Sequence, residues 1–213
     1  MPKAAGFLWN KKMMLQITCR GYAVAQHMQP EPSKYAHAPL VEGKTFMLPE
    51  QPYYVNHPGR FFYIKDEASG KVTSIPYEPM RSEFEKFKFS VGKHDLRWEI
   101  EALGLRLSLT CSLPVDSAVE LWELNVENNG EQSRNLSIYS YFPIGYMSWM
   151  NHGASYRPEL KSVVATSVTA YQKLDDYFKN QHLKDLTFFA CEREPISCHT
   201  RQEAFEGQGG LHN

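Results

Sequence analysis

Two acidic pairs, Asp66-Glu67 and Asp175-Asp176, are the first residues in this 213-residue chain whose type and spacing suggest chemistry. Paired carboxylates serve as acid and base on a glycosidic bond. Neighbours on a strand point to opposite faces, however, so each pair reads as solvated turn charge rather than a catalytic couple. A second concentration lies in residues 146–158, read as a long loop, where Tyr146, Trp149 and Tyr156 stand among Asn151, His152 and Arg157. Flat aromatic rings stack on sugar faces, while amide and guanidinium groups bond hydroxyls or a carboxylate. The competing reading is that Trp149 and Tyr156 pin this loop to the fold, and that His152 is an ordinary hydrogen-bonded histidine. Gln172 and Lys173 offer an amide and an ammonium to the same kind of ligand, or are simply exposed. No nucleophile elbow, phosphate loop, HExxH or zinc pattern occurs. The four cysteines form no CxxC pair, and no histidine falls at metal-ligand spacing with another. No catalytic residue and no metal or cofactor is therefore assigned to this chain.

The elements that must position these groups read as strands. Phe87, Phe89 and Val91 alternate with lysine and serine. Leu96, Trp98, Ile100 and Ala102 alternate with Arg97, Glu99 and Glu101, and Leu105 to Leu113 continues the same period of two. A strand puts each apolar set on one face, whereas a helix would scatter it around the axis. Further strands are expected at 60–65 and 71–75 around the turn Ala68-Ser69-Gly70, and at 163–171 and 186–191. The runs 119–127 and 135–142 flank Asn128-Asn129-Gly130-Glu131, which reads as a tight hairpin turn with positive φ. Trp122, Leu124, Val126, Leu136 and Ile138 would then share one buried face. Residues 28–59 are rich in Pro and Tyr and read as an extended arm. Residues 174–180 suggest a helical turn. The expectation is an all-β antiparallel sandwich over 1–213. Residues 206–213 have turn composition with nothing to close them, so the domain is expected to be incomplete at its C-terminal end.

A net charge of −1, mixed in sign along the chain, gives no electrostatic footprint for nucleic acid. No stretch is long and apolar enough for a membrane helix, and the first twelve residues lack the apolar core of a secretory signal. A soluble cytoplasmic protein is expected. The sequon Asn135-Leu136-Ser137 carries little meaning in that setting.

Several segments, in order, resemble one family. They are Arg60-Phe61-Phe62-Tyr63-Ile64-Lys65-Asp66, Pro76-Tyr77-Glu78-Pro79-Met80-Arg81, Leu113-Pro114-Val115-Asp116 with Val119 to Leu124, Tyr171-Gln172-Lys173, and Ala204-Phe205-Glu206-Gly207. Together they are similar to the N-terminal region of the glycoside phosphorylases of glycoside hydrolase family 94, most of all the branch acting on cellobionic acid. The resemblance implies a large β-sandwich followed by linker helices and an (α/α)6 barrel that holds the acid and the phosphate site. It implies a homodimer formed through the sandwich, which lends a loop to the acceptor-sugar subsite of the neighbouring subunit. It implies inorganic phosphate as co-substrate and a sugar or sugar acid as ligand. Where members carry an Asn-Phe-Gln-Arg-like element, this chain has Ala154-Ser155-Tyr156-Arg157. Arg157 and Tyr156 are thereby carried over, and Trp149, Asn151 and His152 follow as loop neighbours. Gln172 stands where relatives often have His, and with the missing Asn it points away from a plain glucose acceptor. The alternatives are a stand-alone carbohydrate-binding sandwich and a purely structural dimerisation domain.

Overall fold

Strict alternation over residues 86–112 is what builds the principal sheet. The computed structural model describes residues 3–27, 59–142, 153–167, 185–201, 204, 205 and 207. Among these the regular secondary structure is almost entirely antiparallel strand, and the chain falls into two compact units, residues 1–142 and 143–213.

In the first unit the strands are β1 (Ala5–Trp9), β2 (Met13–Thr18), β3 (Ala23–His27), β4 (Phe61–Asp66), β5 (Val72–Ile75), β6 (Lys86–Val91), β7 (Asp95–Ala102), β8 (Leu105–Ser112), β9 (Leu121–Asn128) and β10 (Leu136–Tyr141). They form sheets ordered β1-β2-β3, β10-β4-β5 and β6-β7-β8-β9. The inward residues of β7 and β8, from Leu96 to Cys111, are almost wholly buried. They form one core with Leu8, Leu15, Ile17, Phe62, Ile64 and Ile75 from the other two sheets, so the four-stranded sheet packs face-on against both. Trp98 centres this core. Its indole N–H donates to the Cys19 carbonyl at 2.8 Å, and its ring stacks on Trp122 with centroids 5.9 Å apart. Burying Trp98 away from water while satisfying its one donor is the favourable case for a core tryptophan. Where β1 crosses this core Gly6 lies close against Leu96, so a Cβ there would require the Leu96 side chain to shift.

The outer face of the same sheet is polar, as the alternation requires. Lys88 and Lys86 reach Glu99 at 3.0 and 3.6 Å, and Arg106 reaches Glu127 at 3.2 Å. These partners are directly opposite or diagonal in register, so the charges favour this pairing over a slipped one. The β7–β8 turn is the two-residue Leu103-Gly104, with φ of 54° and 70°, the mirror-type turn that suits strand twist.

The expected hairpin between β9 and β10 is not formed. β9 pairs with β8 and β10 pairs with β4, so residues 129–135 cross from one sheet to another. Gly130 does not take a positive φ. Instead the Asn128 side chain accepts from the Gly130 N–H at 3.1 Å and donates to the Gln132 carbonyl at 2.7 Å. Arg134 donates to the Leu103 carbonyl of one sheet and to Asp66 Oδ2 of the other at 2.8 Å. Trp122, Leu124, Val126 and Leu136 still pack on the common core, but Ile138 is half exposed on an edge strand.

The second unit holds a three-stranded sheet ordered β11-β12-β13, from Gly153–Arg157, Ser162–Ser167 and Asp185–Ala190. The strand expected over 163–171 is thus described over Ser162–Ser167, and that over 186–191 over Asp185–Ala190. The C-terminal part of the expected loop, Gly153–Arg157, is strand. A 3-10 turn at Pro158–Leu160 follows, and Lys161 at φ 46° turns the chain into β12. The expected arm over 28–59, but for Gly59, and the expected helical turn at 174–180 lie outside the described residues.

Candidate functional site

Register decides which side chains of β11 can act together. Tyr156 pairs with Val163, which pairs with Phe189; Arg157 pairs with Ser162, which pairs with Ala190. Consecutive residues of a strand face opposite ways, so Tyr156 and Arg157 belong to opposite faces of the sheet. Tyr156 is half-buried, and its hydroxyl is enclosed with no hydrogen-bond partner among the described residues. Burial, with Glu194, Cys198 and Cys191 nearby, pushes its pKa above the ordinary value. Arg157 is exposed, on extended backbone with φ −114° and ψ 100°. The same face carries Ser155, Val164 and Phe188 in one cross-strand row, and Phe188 is 51% exposed. A guanidinium presents a planar fork of donors matched to a carboxylate or a pair of hydroxyls. Trp149, Asn151, His152 and Gln172 lie outside the described residues, as does the pair Asp175-Asp176.

The remaining acidic pair is structural. Asp66 accepts from Arg134 and from the Ser69 hydroxyl at 2.9 Å, and these bonds hold its carboxyl below the usual range. Glu67 is held low by Ser137, which donates at 2.6 Å, and by Lys65 at 2.9 Å. Neither is poised to give up a proton near neutral pH, and Asp66 is buried rather than solvated.

Two buried ion pairs were not foreseen from the sequence. Arg60 donates through Nε and Nη2 to both oxygens of Glu120, at 2.9 and 2.8 Å, and Trp122 Nε1 donates to Glu120 Oε2 at 2.9 Å. Burial pushes Glu120 up, yet the Arg60 guanidinium prevails and holds it below the usual range. Glu78, fully enclosed, accepts from Arg20 and from Arg81 Nε at 3.1 Å. Arg81 also borders an open cleft of about 440 Å3 with Tyr77, Ser82, Glu83, Phe84 and Phe87. Its rings pack on one another, Phe84 and Phe87 stacking with centroids 6.0 Å apart and Tyr77 edge-on to both. Among the described residues no three His, Cys, Asp or Glu side chains gather as metal ligands, and no helix is long and apolar enough to cross a membrane.

Comparison with known proteins places this architecture. Residues 50–213 match the model of the glycosyl hydrolase 94 supersandwich domain. The whole chain is 58% identical to a cellobionic acid phosphorylase of Neurospora crassa, over 213 residues that make up 27% of that relative. An N,N'-diacetylchitobiose phosphorylase of Vibrio proteolyticus is 19% identical over 155 residues, 71% of this chain and 19% of the relative. A 3-O-beta-D-glucopyranosyl-beta-D-glucuronide phosphorylase of Paenibacillus borealis is 28% identical over 87 residues, 40% of this chain and 11% of the relative. The chain thus spans about a quarter of the length of the first of these. With its antiparallel sheets and its alternating core, the chain belongs to the glycosyl hydrolase 94 family, whose supersandwich domain it carries.

Proposed function

We propose that the chain is the N-terminal sandwich domain, spanning 1–213, of a cytoplasmic inverting phosphorylase that cleaves cellobionic acid with inorganic phosphate. The products are α-glucose 1-phosphate and gluconate. The observation that carries this reading is the 58% identity over the full chain to a phosphorylase with that named substrate. In the reaction an acid protonates the glycosidic oxygen while phosphate attacks the anomeric carbon from the opposite face, as in inverting hydrolysis with phosphate in place of water. The pair Asp66-Glu67 is unsuited to supply the acid, because both carboxyls are held ionised by their partners. The chemistry is therefore assigned to a barrel elsewhere in the parent protein. This domain contributes dimer contact and part of the acceptor subsite of the neighbouring subunit. Arg157 supplies the charged fork for the sugar acid, and Tyr156, enclosed on the other face, braces β11. Trp149, Asn151, His152 and Gln172 complete the assigned subsite.

The test is to incubate the parent protein with cellobionic acid and phosphate and to assay glucose 1-phosphate, with the isolated chain in parallel. Phosphate-dependent product from the parent and none from the isolated chain is expected. Turnover by the isolated chain contradicts the placement of the chemistry, and a parent inert toward cellobionic acid contradicts the substrate. Sedimentation of the parent as a monomer at micromolar concentration contradicts the dimer.

A further inference from the structure

We infer that Phe188, with Ser155, completes the sugar-acid subsite around Arg157 as an apolar platform on the same sheet face; this rests on the reading of Arg157 above. Ser155 pairs with Val164, and Val164 pairs with Phe188, so the three form one row across β11, β12 and β13. Arg157, Ser162 and Ala190 form the parallel row two residues along. At ordinary strand spacing the Cα atoms of Arg157 and Phe188 are about 12 Å apart, diagonally across the sheet. That gap, with both side chains standing off the same face, suits a ligand the size of one sugar. Half-buried Val164 fills the floor between them, and exposed Ser155 adds a hydroxyl next to Arg157 along the strand.

The chemistry of the two corners differs in a useful way. A sugar acid has a charged end, hydroxyls, and a carbon-bound hydrogen surface that is apolar. Arg157 takes the carboxylate and Ser155 a hydroxyl, while the flat ring of Phe188 takes the C–H surface. Phe188 is 51% exposed, and no other aromatic side chain of β11, β12 or β13 lies on this face. The other two, Tyr156 and Phe189, occupy the opposite face with Val163. The local chain order hides this, because Arg157 and Phe188 are thirty-one positions apart and become neighbours only through β12.

The test uses the parent protein run in the synthetic direction, with gluconate as acceptor and glucose 1-phosphate as donor. Phe188→Ala is expected to raise the gluconate KM about five- to tenfold, with the glucose 1-phosphate KM and the Tm near wild type. Phe188→Tyr, which keeps the flat ring, restores the gluconate KM. A rise with Arg157→Ala but not with Phe188→Ala overturns this inference and leaves the reading of Arg157 standing. No rise with either overturns both. A lowered Tm for Phe188→Ala at unchanged gluconate KM means the ring is a packing contact, which also overturns it. If Phe188→Ala does not fold, Phe188→Leu takes its place, keeping bulk without the ring; an unchanged gluconate KM then has the same overturning force.

Discussion

The sheet β6-β7-β8-β9 and the sheet β11-β12-β13 handle their outward faces in opposite ways. In the first, outward charges meet in register across the strands, Lys88 on Glu99 and Arg106 on Glu127. Inward, its central strands β7 and β8 present an unbroken buried row from Leu96 to Cys111. In the second, Leu186 and Phe188 are exposed and share a face with an exposed arginine. Every ion pair found among the described residues lies in the first unit. A face whose charges satisfy each other has little left to offer a ligand. A face with an exposed guanidinium and an exposed aromatic ring has that capacity, because one offers charged donors and the other an apolar surface. On the function proposed above, the difference separates a unit that holds the fold from one that recognises.

That contrast breaks first at the core. Trp98→Ala removes a fully buried indole and leaves both a cavity and an unmet Cys19 carbonyl. A loss of about 4 kcal/mol is expected in chemical denaturation. A loss below about 1 kcal/mol would mean the sheets do not pack as described. Next come the buried pairs. Glu120→Gln leaves the Arg60 guanidinium enclosed without its charge partner, at a cost of about 3 kcal/mol. The double variant Arg60→Met with Glu120→Gln should recover part of that loss, since it removes the stranded charge.

Acidification probes the same unit with a definite sign. Asp66 and Glu120 both have pKa values lowered by folding. Their contribution is present above the unfolded carboxylate values of about 3.9 and 4.3 and is lost as pH falls through the lower folded values. The Tm should therefore drop steeply below about pH 4. Arg134→Met should flatten part of that drop by releasing Asp66. An identical slope in the variant would show that Arg134 does not set the Asp66 carboxyl. The smallest effect is expected on the outer ladder. Arg106→Ala, exposed and screened, should cost under about 1 kcal/mol, with any loss shrinking in salt.

How far the sequence foretold this structure depended on how local the signal was. β6, β7 and β8 were legible because a period of two over six to eight residues has one physical reading. β9 and β10 were legible as strands but not as partners. Asn128 and Gly130 mark a change of direction, and nothing local tells a hairpin from a crossing between sheets. β2 was passed over because Met13 to Thr18 is buried on both faces for much of its length and shows no alternation. β11 was read as loop because Gly153, Ala154 and Ser155 have little strand preference, and pairing with β12 overrides it. The pairs Arg60–Glu120 and Arg20–Glu78 join residues 60 and 58 positions apart, a distance no local pattern spans. At the candidate site, Arg157 was reached through family resemblance. Its separation from Tyr156 and its neighbourhood with Phe188 needed the register.

On the proposed function, stability and recognition are divided between these two units. The measurement that tests it most directly is Arg157→Ala in the parent enzyme, with the acceptor KM and the Tm recorded on the same preparation. A gluconate KM raised about ten- to a hundredfold is expected, equivalent to losing about 1.5–3 kcal/mol of charged hydrogen bonding. The glucose 1-phosphate KM and the Tm should stay near wild type. An unchanged gluconate KM in a well-folded protein, or a lowered Tm as the only effect, would contradict it.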